Sequence, residues 1–362
     1  MLRVCGITYV HTTNYGSCFQ AYALQMAIDG ITVGGEKCQH EFVPLWLCSD
    51  HFTNKSDNNI FYKVFLRQFK SFQEEKIRYN ACRQVRDLPL LNESCDAFVC
   101  GSDVIWHPQF NHQLGLYYLD FAKKYKFSYA ASFGRSDNEN VFLQTAGKWI
   151  AELSEVSVRE QSSVEIVKRY SDRDAKVVAD PVILLTQEEW YRIAGAQKGK
   201  NKYIFSYTTH NTPEYEKVLK KLSEVTGLRV VKAAWHKSMK EALKQGILKI
   251  QSPETWLRQL RDAEYVVTNS FHATVFSSIF HKKFFTVVHG EKNEGSNFRM
   301  YDYLKSIGLQ DRMYSSVPET IDLSEINFEQ SDIMIEKMRA DGLRYLQENL
   351  EAAYAQKMQR EH

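Results

Sequence analysis

Residues 265–277 read Tyr265-Val266-Val267-Thr268-Asn269-Ser270-Phe271-His272-Ala273-Thr274-Val275-Phe276-Ser277. The run 265–268 has the apolar, β-branched composition of a buried strand, and it gives way to small polar residues. Helical spacing of apolar residues then takes over and predicts a helix over 272–280. A buried strand that hands directly to a helix is the repeating unit of a parallel α/β sheet, whose ligands collect at the carboxyl ends of its strands. The first amides of such a helix lack internal partners and carry the positive end of its dipole, which suits phosphate or carboxylate. His272 stands at that mouth, with an ordinary pKa of about 6.5 that suits acid or base work at neutral pH. The same residues also fit a plain helix cap, with Asn269 and Ser270 closing the helix and His272 buried with its hydrogen bonds made.

Outward from this stretch the same order recurs. Residues 4–9 read as a strand, 11–17 as a polar loop and 19–28 as a helix. Strand-like runs at 97–100, 127–131, 156–158 and 176–179 lead into Gly101-Ser102-Asp103, Ser132-Phe133-Gly134, Arg159-Glu160 and Asp180-Pro181. After the polar patch 195–202 a second series begins. It has strands at 203–207, 229–233 and 284–288, a helix over 213–226 ended by Gly227, and a helix over 253–263. A chain of 362 residues exceeds one ordinary core. The pattern therefore predicts an α/β protein with parallel sheets in two domains, divided near 186–202. The first domain spans 1–190, the second 200–315, and a helical tail follows over 316–362, its amphipathic pattern clearest over 332–359. In two-lobed α/β transferases such a tail crosses back onto the first lobe, and the analogy gives the same expectation here.

One segment departs from the pattern, a helical excursion near 55–90. Ile60, Phe61, Val64, Phe65, Phe69 and Phe72 share one helical face, with Lys63, Arg67 and Lys70 among them. Such a face suits packing against its own domain, or peripheral contact with an anionic membrane.

Composition excludes several classes. A net charge of +2 is too small for the clustered basic surface that nucleic acid requires, so no nucleic-acid partner is expected. Cys5, Cys18, Cys38, Cys48, Cys82, Cys95 and Cys100 are odd in number and contain no CxxC pair, which reads as reduced thiols in a cytoplasmic protein. The opening residues are too short an apolar run for a signal peptide, and no run reaches the roughly 18 apolar residues of a spanning helix. His11, His40, His51, His107, His112, His210, His236, His272, His281 and His289 show no ligand spacing, so no metal is expected.

The other candidate residues also follow strands. Arg159 sits where a guanidinium grips carboxylate or phosphate in a bidentate fashion, with Glu160 as its neighbour; a surface helix start fits both equally. The loops holding Asn14, Tyr15 and Gly16, and Gly101, Ser102 and Asp103, are candidate substrate-binding loops. Their glycines permit close backbone approach, and Asn14 and Asp103 suit sugar hydroxyls, although each loop also reads as a tight turn. Neither loop is a GxGxxG or GxxxxGK[ST] motif.

Taken in order, Asn14-Tyr15-Gly16, Gln20-Ala21-Tyr22-Ala23-Leu24-Gln25, Gly101-Ser102-Asp103-Val104-Ile105-Trp106, Ala131-Ser132-Phe133-Gly134, Ser157-Val158-Arg159-Glu160, Asp180-Pro181 and Thr268-Asn269-Ser270-Phe271-His272 resemble the polysaccharide pyruvyl transferase family. The resemblance runs from about residue 4 to residue 312. It implies two Rossmann-like lobes in the manner of GT-B glycosyltransferases, a C-terminal helix, phosphoenolpyruvate as donor and no cofactor or metal. It also implies a glycan acceptor, lipid-linked or otherwise, of a capsule, exopolysaccharide or cell-wall polymer. By position, Arg159 matches the family's donor-holding arginine and His272 the histidine proposed as general acid. Asn269, Ser270 and Phe271 join the substrate-binding candidates, and Glu160 and Asp103 are candidate bases. Characterised members often carry a basic residue two places before the histidine, where this chain has Ser270; Ser270 with the helix amides, or a cation from elsewhere such as Lys283 or Arg299, would then supply the phosphate contact. A nucleotide-sugar GT-B glycosyltransferase and a non-catalytic glycan-binding relative are the competing expectations.

Overall fold

In the computed structural model, residues 1–10, 12–44, 60–107, 115–134, 141–196, 202–234, 251–292 and 297–361 are described, with backbone only for residues 60–65, 141 and 234. Cys48, His11, His51, His112, His236 and the side chains of Ile60, Phe61, Lys63, Val64 and Phe65 lie outside the described residues.

β1 (Leu2–Ile7), β2 (Thr32–Val33), β3 (Glu36–Phe42), β4 (Ala97–Cys100) and β5 (Tyr125–Ser128) form the first sheet, in the order β2-β3-β1-β4-β5. Only β2 runs antiparallel. The sequence pattern carries the fifth strand to residue 131, but Ala130 takes a positive φ of 51° and ends it early. Single parallel bridges from Phe127 to Glu155 and from Ala131 to Val158 lead to β6 (Ser157–Val158), which pairs with β7 (Lys176–Val177). Helices α1 (Tyr15–Asp29), α2 (Ile60–Lys76), α3 (Leu91–Ser94), α4 (Val141–Ala151) and α5 (Gln161–Ser171) accompany these strands.

α6 (Gln187–Ala194), started by a capping box between Thr186 and Glu189, leads to the second sheet. There β8 (Ile204–Thr208), β9 (Val230–Ala234), β10 (Tyr265–Thr268), β11 (Lys283–Val287) and β12 (Met313–Tyr314) run parallel in the order β12-β11-β10-β8-β9. β8 and β10 are buried along their whole length, as parallel strands covered on both faces must be. α7 (Pro213–Thr226) starts at a Thr212 cap and stops at Gly227, whose φ of 67° glycine adopts without strain. α8 (Pro253–Asp262), α9 (Phe271–Ile279) and α10 (Phe298–Ser306) complete this lobe.

The lobes meet through an aromatic core. Tyr15 and Phe19 of α1 pack with Phe69 and Phe72 of α2, Trp190 of α6, and Tyr207, Trp256 and Phe276 of the second lobe. Tyr15 stacks on Trp256 at 5.2 Å and 13°, and Tyr207 meets both rings edge-on. Phe69 and Phe72 are 1% exposed, so the described half of α2 turns its apolar face to the protein and leaves Arg67 and Lys70 in water.

The chain ends in α11 (Glu329–Glu361), about 50 Å long at 1.5 Å per residue. Ile335 joins the inter-lobe core, whereas Tyr345, Leu346, Leu350 and Ala353 pack with Leu2, Val4 and Val99 of the first sheet. Burying Leu346 and Leu350 completely contributes about 1.5–3 kcal/mol each. Six cysteines are free, buried thiols, and no helix of the described residues is long and apolar enough to cross a membrane.

Candidate active site

Three strand ends and two helices converge between the lobes. Arg159 and Glu160 follow β6, Asp180 follows β7, and Phe271 opens α9 directly after β10. With Arg299, Asp302 and Tyr303 of α10, and Met338 and Asp341 of α11, they line a cavity of about 380 Å³. That size falls within the range of small-molecule sites.

Arg159 is the floor, with a side chain 2% exposed. Its Nη1 donates to Asp180 Oδ2 at 2.8 Å, its Nε lies 3.5 Å from Glu160 Oε2, and its guanidinium carbon stands 4.5 Å above the Phe271 ring. Glu160 is held in turn by the hydroxyls of Ser132 and Ser163. Asp180 also accepts from Ser102 Oγ at 3.2 Å and from the Val182 N–H at 3.1 Å, and His272 Nε2 lies 3.4 Å from its Oδ2. Burial alone would raise the Asp180 carboxyl, but the charges of His272 and Arg159 outweigh it and hold the group well below the usual carboxylate range. For Arg159, burial opposes the charge and the carboxylates of Asp180, Glu160 and Asp103 more than restore it.

Arg299 is the second cation. Burial and the nearby charge of Arg159 lower its pKa to about 10. Arg159 Nε and Nη2 and Arg299 Nε are buried with no hydrogen-bond partner among the described residues. Two guanidiniums with unused donors at one cavity form a receptor for an anion, and two anionic groups suit them best. Among the described residues no group of three or more His, Cys, Asp or Glu is placed to hold a metal ion.

Of the residues singled out in the sequence, Arg159, Glu160 and Phe271 line the cavity. His272 stands one side chain behind the lining, against Asp180. Gly16 explains its placement: a Cβ there would fall 2.0 Å from His272 Nδ1, so α1 and the imidazole touch only because residue 16 has no side chain. Ser102 positions Asp180, while Asp103, at a φ of 74°, accepts from Ser17 Oγ and from the Val104 N–H. Asn14 caps α1 by accepting the Gly16 N–H, and Tyr15 lies in the aromatic core with its hydroxyl donating to the Gln251 carbonyl. Gly101 is a packing glycine against Leu24 and Thr8. Asn269 accepts the Thr209 N–H and donates to the His210 carbonyl, bracing two loops. Ser270 precedes α9 without a side-chain cap bond. Of the two replacement cations, Arg299 reaches the cavity, and Lys283 pairs with Glu325 at the amino end of β11.

Sequence reasoning left Asp180, Asp302 and Asp341 out of the site. Asp180 had a signal, since a carboxylate following a strand falls at the sheet's ligand-binding edge. Asp302 and Asp341 sit within helices and carry none.

The family model for polysaccharide pyruvyl transferase matches residues 36–291. The chain belongs to the polysaccharide pyruvyl transferase family. The match contains Arg159, Glu160, Asp180 and His272; Arg299, Asp302 and Asp341 lie beyond it. Among solved structures, a UDP-N-acetylglucosamine 2-epimerase from Listeria monocytogenes is 12% identical with a TM-score of 0.53, over 99% of this chain and 97% of that one. It shares the two-lobed GT-B-like fold. MnaA of S. aureus with UDP (13% identical, TM-score 0.46, 94% and 97% covered) and the E. coli heptosyltransferase WaaC with ADP (12%, 0.40, 93% and 100%) are more distant. No curated protein matches the chain. As a pyruvyl transferase family member the protein is a transferase of polysaccharide biosynthesis.

Proposed function

We propose that this pyruvyl transferase uses phosphoenolpyruvate as donor and places its pyruvyl group, as a ketal, on two hydroxyls of a sugar in a bacterial surface polysaccharide such as a capsule or exopolysaccharide. The pairing of Arg159 and Arg299 at one cavity carries the reading. Phosphoenolpyruvate presents a carboxylate and a phosphate, and each guanidinium has buried donors to spare. The proton donor in this reading is His272, one side chain behind the cavity lining, with its Nε2 3.4 Å from Asp180 Oδ2. It delivers a proton to the donor's methylene carbon, positive charge develops at C2, and a sugar hydroxyl attacks there. Arg159, Arg299 and the first amides of α9 hold the charge of the phosphate as it leaves. Neither cofactor nor metal enters this scheme.

The test is phosphate release from phosphoenolpyruvate with a panel of galactose, mannose and N-acetylhexosamine acceptors, lipid-linked ones included, beside Arg159→Ala, Arg299→Ala and His272→Ala. Acceptor-dependent release that collapses in all three variants supports the reading. Silence across the panel together with tight binding of a uridine diphosphate sugar replaces it with glycosyl transfer.

A further inference from the structure

Attack by a sugar hydroxyl needs a base, and five acidic side chains stand in or around the cavity: Asp103, Glu160, Asp180, Asp302 and Asp341. Four are committed elsewhere. Asp103 accepts from Ser17 and Val104; Glu160 accepts from Ser132 and Ser163 through Oε1, and its Oε2, with no hydrogen bond among the described residues, is buried against Arg159 Nε at 3.5 Å. Asp180 binds Arg159 and Ser102 and stays ionised to low pH, which makes it a weak base. Asp341 pairs with Arg344 at 3.0 Å and is 45% exposed. Asp302 forms no ion pair among the described residues. Its carboxylate lines the cavity together with Gln161, at the start of α5, and Arg299.

Position separates it further. The floor of the cavity is buried and cationic, built from Arg159 on Phe271, with the half-buried Arg299 beside it. Gln161, Val177 and Ser306 are its exposed parts, and Asp302, one helical turn after Arg299, is half-buried between floor and solvent. A donor held on the floor puts an incoming sugar against Asp302.

We propose that Asp302 is the general base of this enzyme, taking the proton from the sugar hydroxyl that attacks the donor. The inference rests on the pyruvyl transfer reading above. Burial and then the charge of Glu160 raise the Asp302 carboxyl, against Lys305 and the Gln161 N–H, which lower it; a raised carboxyl is the stronger base. The protons balance over one cycle. Protonated His272 gives a proton to C3 of phosphoenolpyruvate. The first hydroxyl loses its proton to Asp302 as its oxygen bonds to C2. The second hydroxyl then bonds to C2 as the C2–O bond to phosphate breaks; its proton restores His272, and the proton on Asp302 leaves on the phosphate.

Wild type, Asp302→Asn and Asp302→Glu are compared for acceptor-dependent phosphate release, for its pH profile and for phosphoenolpyruvate affinity by calorimetry. Asp302→Asn is expected to lower kcat by about 100-fold or more, in line with general-base catalysis. It should also abolish the acidic limb of the pH profile and leave donor affinity unchanged. Asp302→Glu should recover part of the rate with the limb restored. If wild type itself releases no phosphate, the pyruvyl reading fails and the inference falls with it. If wild type is active and Asp302→Asn keeps its rate or its acidic limb, or Asp302→Glu recovers nothing, the base is not Asp302 and the pyruvyl reading stands.

Discussion

Gly16→Ala is a one-carbon perturbation whose consequence follows from geometry. Gly16 is the second residue of α1 and is buried. In a helix, alanine is favoured over glycine by about 0.5–1 kcal/mol, so local propensity alone predicts stabilisation. The added Cβ, however, would lie 2.0 Å from Nδ1, 2.3 Å from Cγ and 2.7 Å from Cε1 of His272, where ordinary contact begins at 3.4 Å. The imidazole must therefore retreat by 3.4 − 2.0 = 1.4 Å, and that movement breaks its register with Asp180 Oδ2. A misplacement on the order of 1 Å in a catalytic group costs roughly 100-fold in rate. Overpacking of about 1–3 kcal/mol, partly offset by the helix term, leaves a Tm within about 5 °C of wild type. Two measurements check this. Phosphate release should fall by about two orders of magnitude. In protein labelled with 13C-histidine, the imidazole signal identified by its loss in His272→Ala should move in Gly16→Ala while the other histidine signals stay. Wild-type turnover together with an unmoved His272 signal would refute the argued contact.

Three further outcomes are expected. His40 is fully buried, and burial followed by the charge of Arg78 lowers its pKa from 6.5 to about 3. The unfolded chain therefore binds the proton first, so stability is complete above the unfolded pKa and falls with pH below it, by about 2 kcal/mol between pH 7 and 5. Urea midpoints across that interval should show a fall that His40→Leu reduces; equal falls in both proteins would exclude His40 as the source. Arg299→Ala should weaken phosphoenolpyruvate binding by about 10–100-fold, the worth of a charged hydrogen bond, as read by calorimetry, and unchanged affinity would remove Arg299 from the donor site. Gly342 of α11 sits where a Cβ would meet Tyr129 Oη at 2.5 Å and Leu184 Cδ2 at 2.8 Å. Gly342→Leu should lift the helix off the first sheet and lower Tm by several degrees, and a wild-type melting curve would contradict that packing.

Glycine shows how differently one residue type reads in sequence and in space. Gly16 and Gly101 both follow strands, and both suggest backbone approach to a ligand. In the fold, Gly101 admits Leu24 and Thr8, and Gly16 admits a histidine from the other lobe. Tyr15 and Phe69 carried a similar ambiguity. One had the look of a binding loop and the other of a membrane-facing helix, yet they pack on each other at 4.8 Å in the inter-lobe core.

The alternation of buried strands with helices and the strand ends that Arg159 and His272 follow were legible from residue order. Those features depend on local periodicity, and a strand buried on both faces must be written in consecutive apolar residues. The ordered motifs from Asn14 to His272 resemble the polysaccharide pyruvyl transferase family, and the family model matches residues 36–291. Tertiary structure alone decided which cation faces Arg159, which carboxylate is left unpaired, and where α11 runs. Arg299 and Lys283 are both cations of the second lobe, and only the crossing of α10 over the cavity separates them. Asp302 stands apart from Glu160 and Asp180 because Ser132 and Ser163 donate to Glu160, Ser102 and Arg159 donate to Asp180, and His272 stands against Asp180. Electrostatic commitment is a property of distances between residues, and no pattern along the chain encodes it.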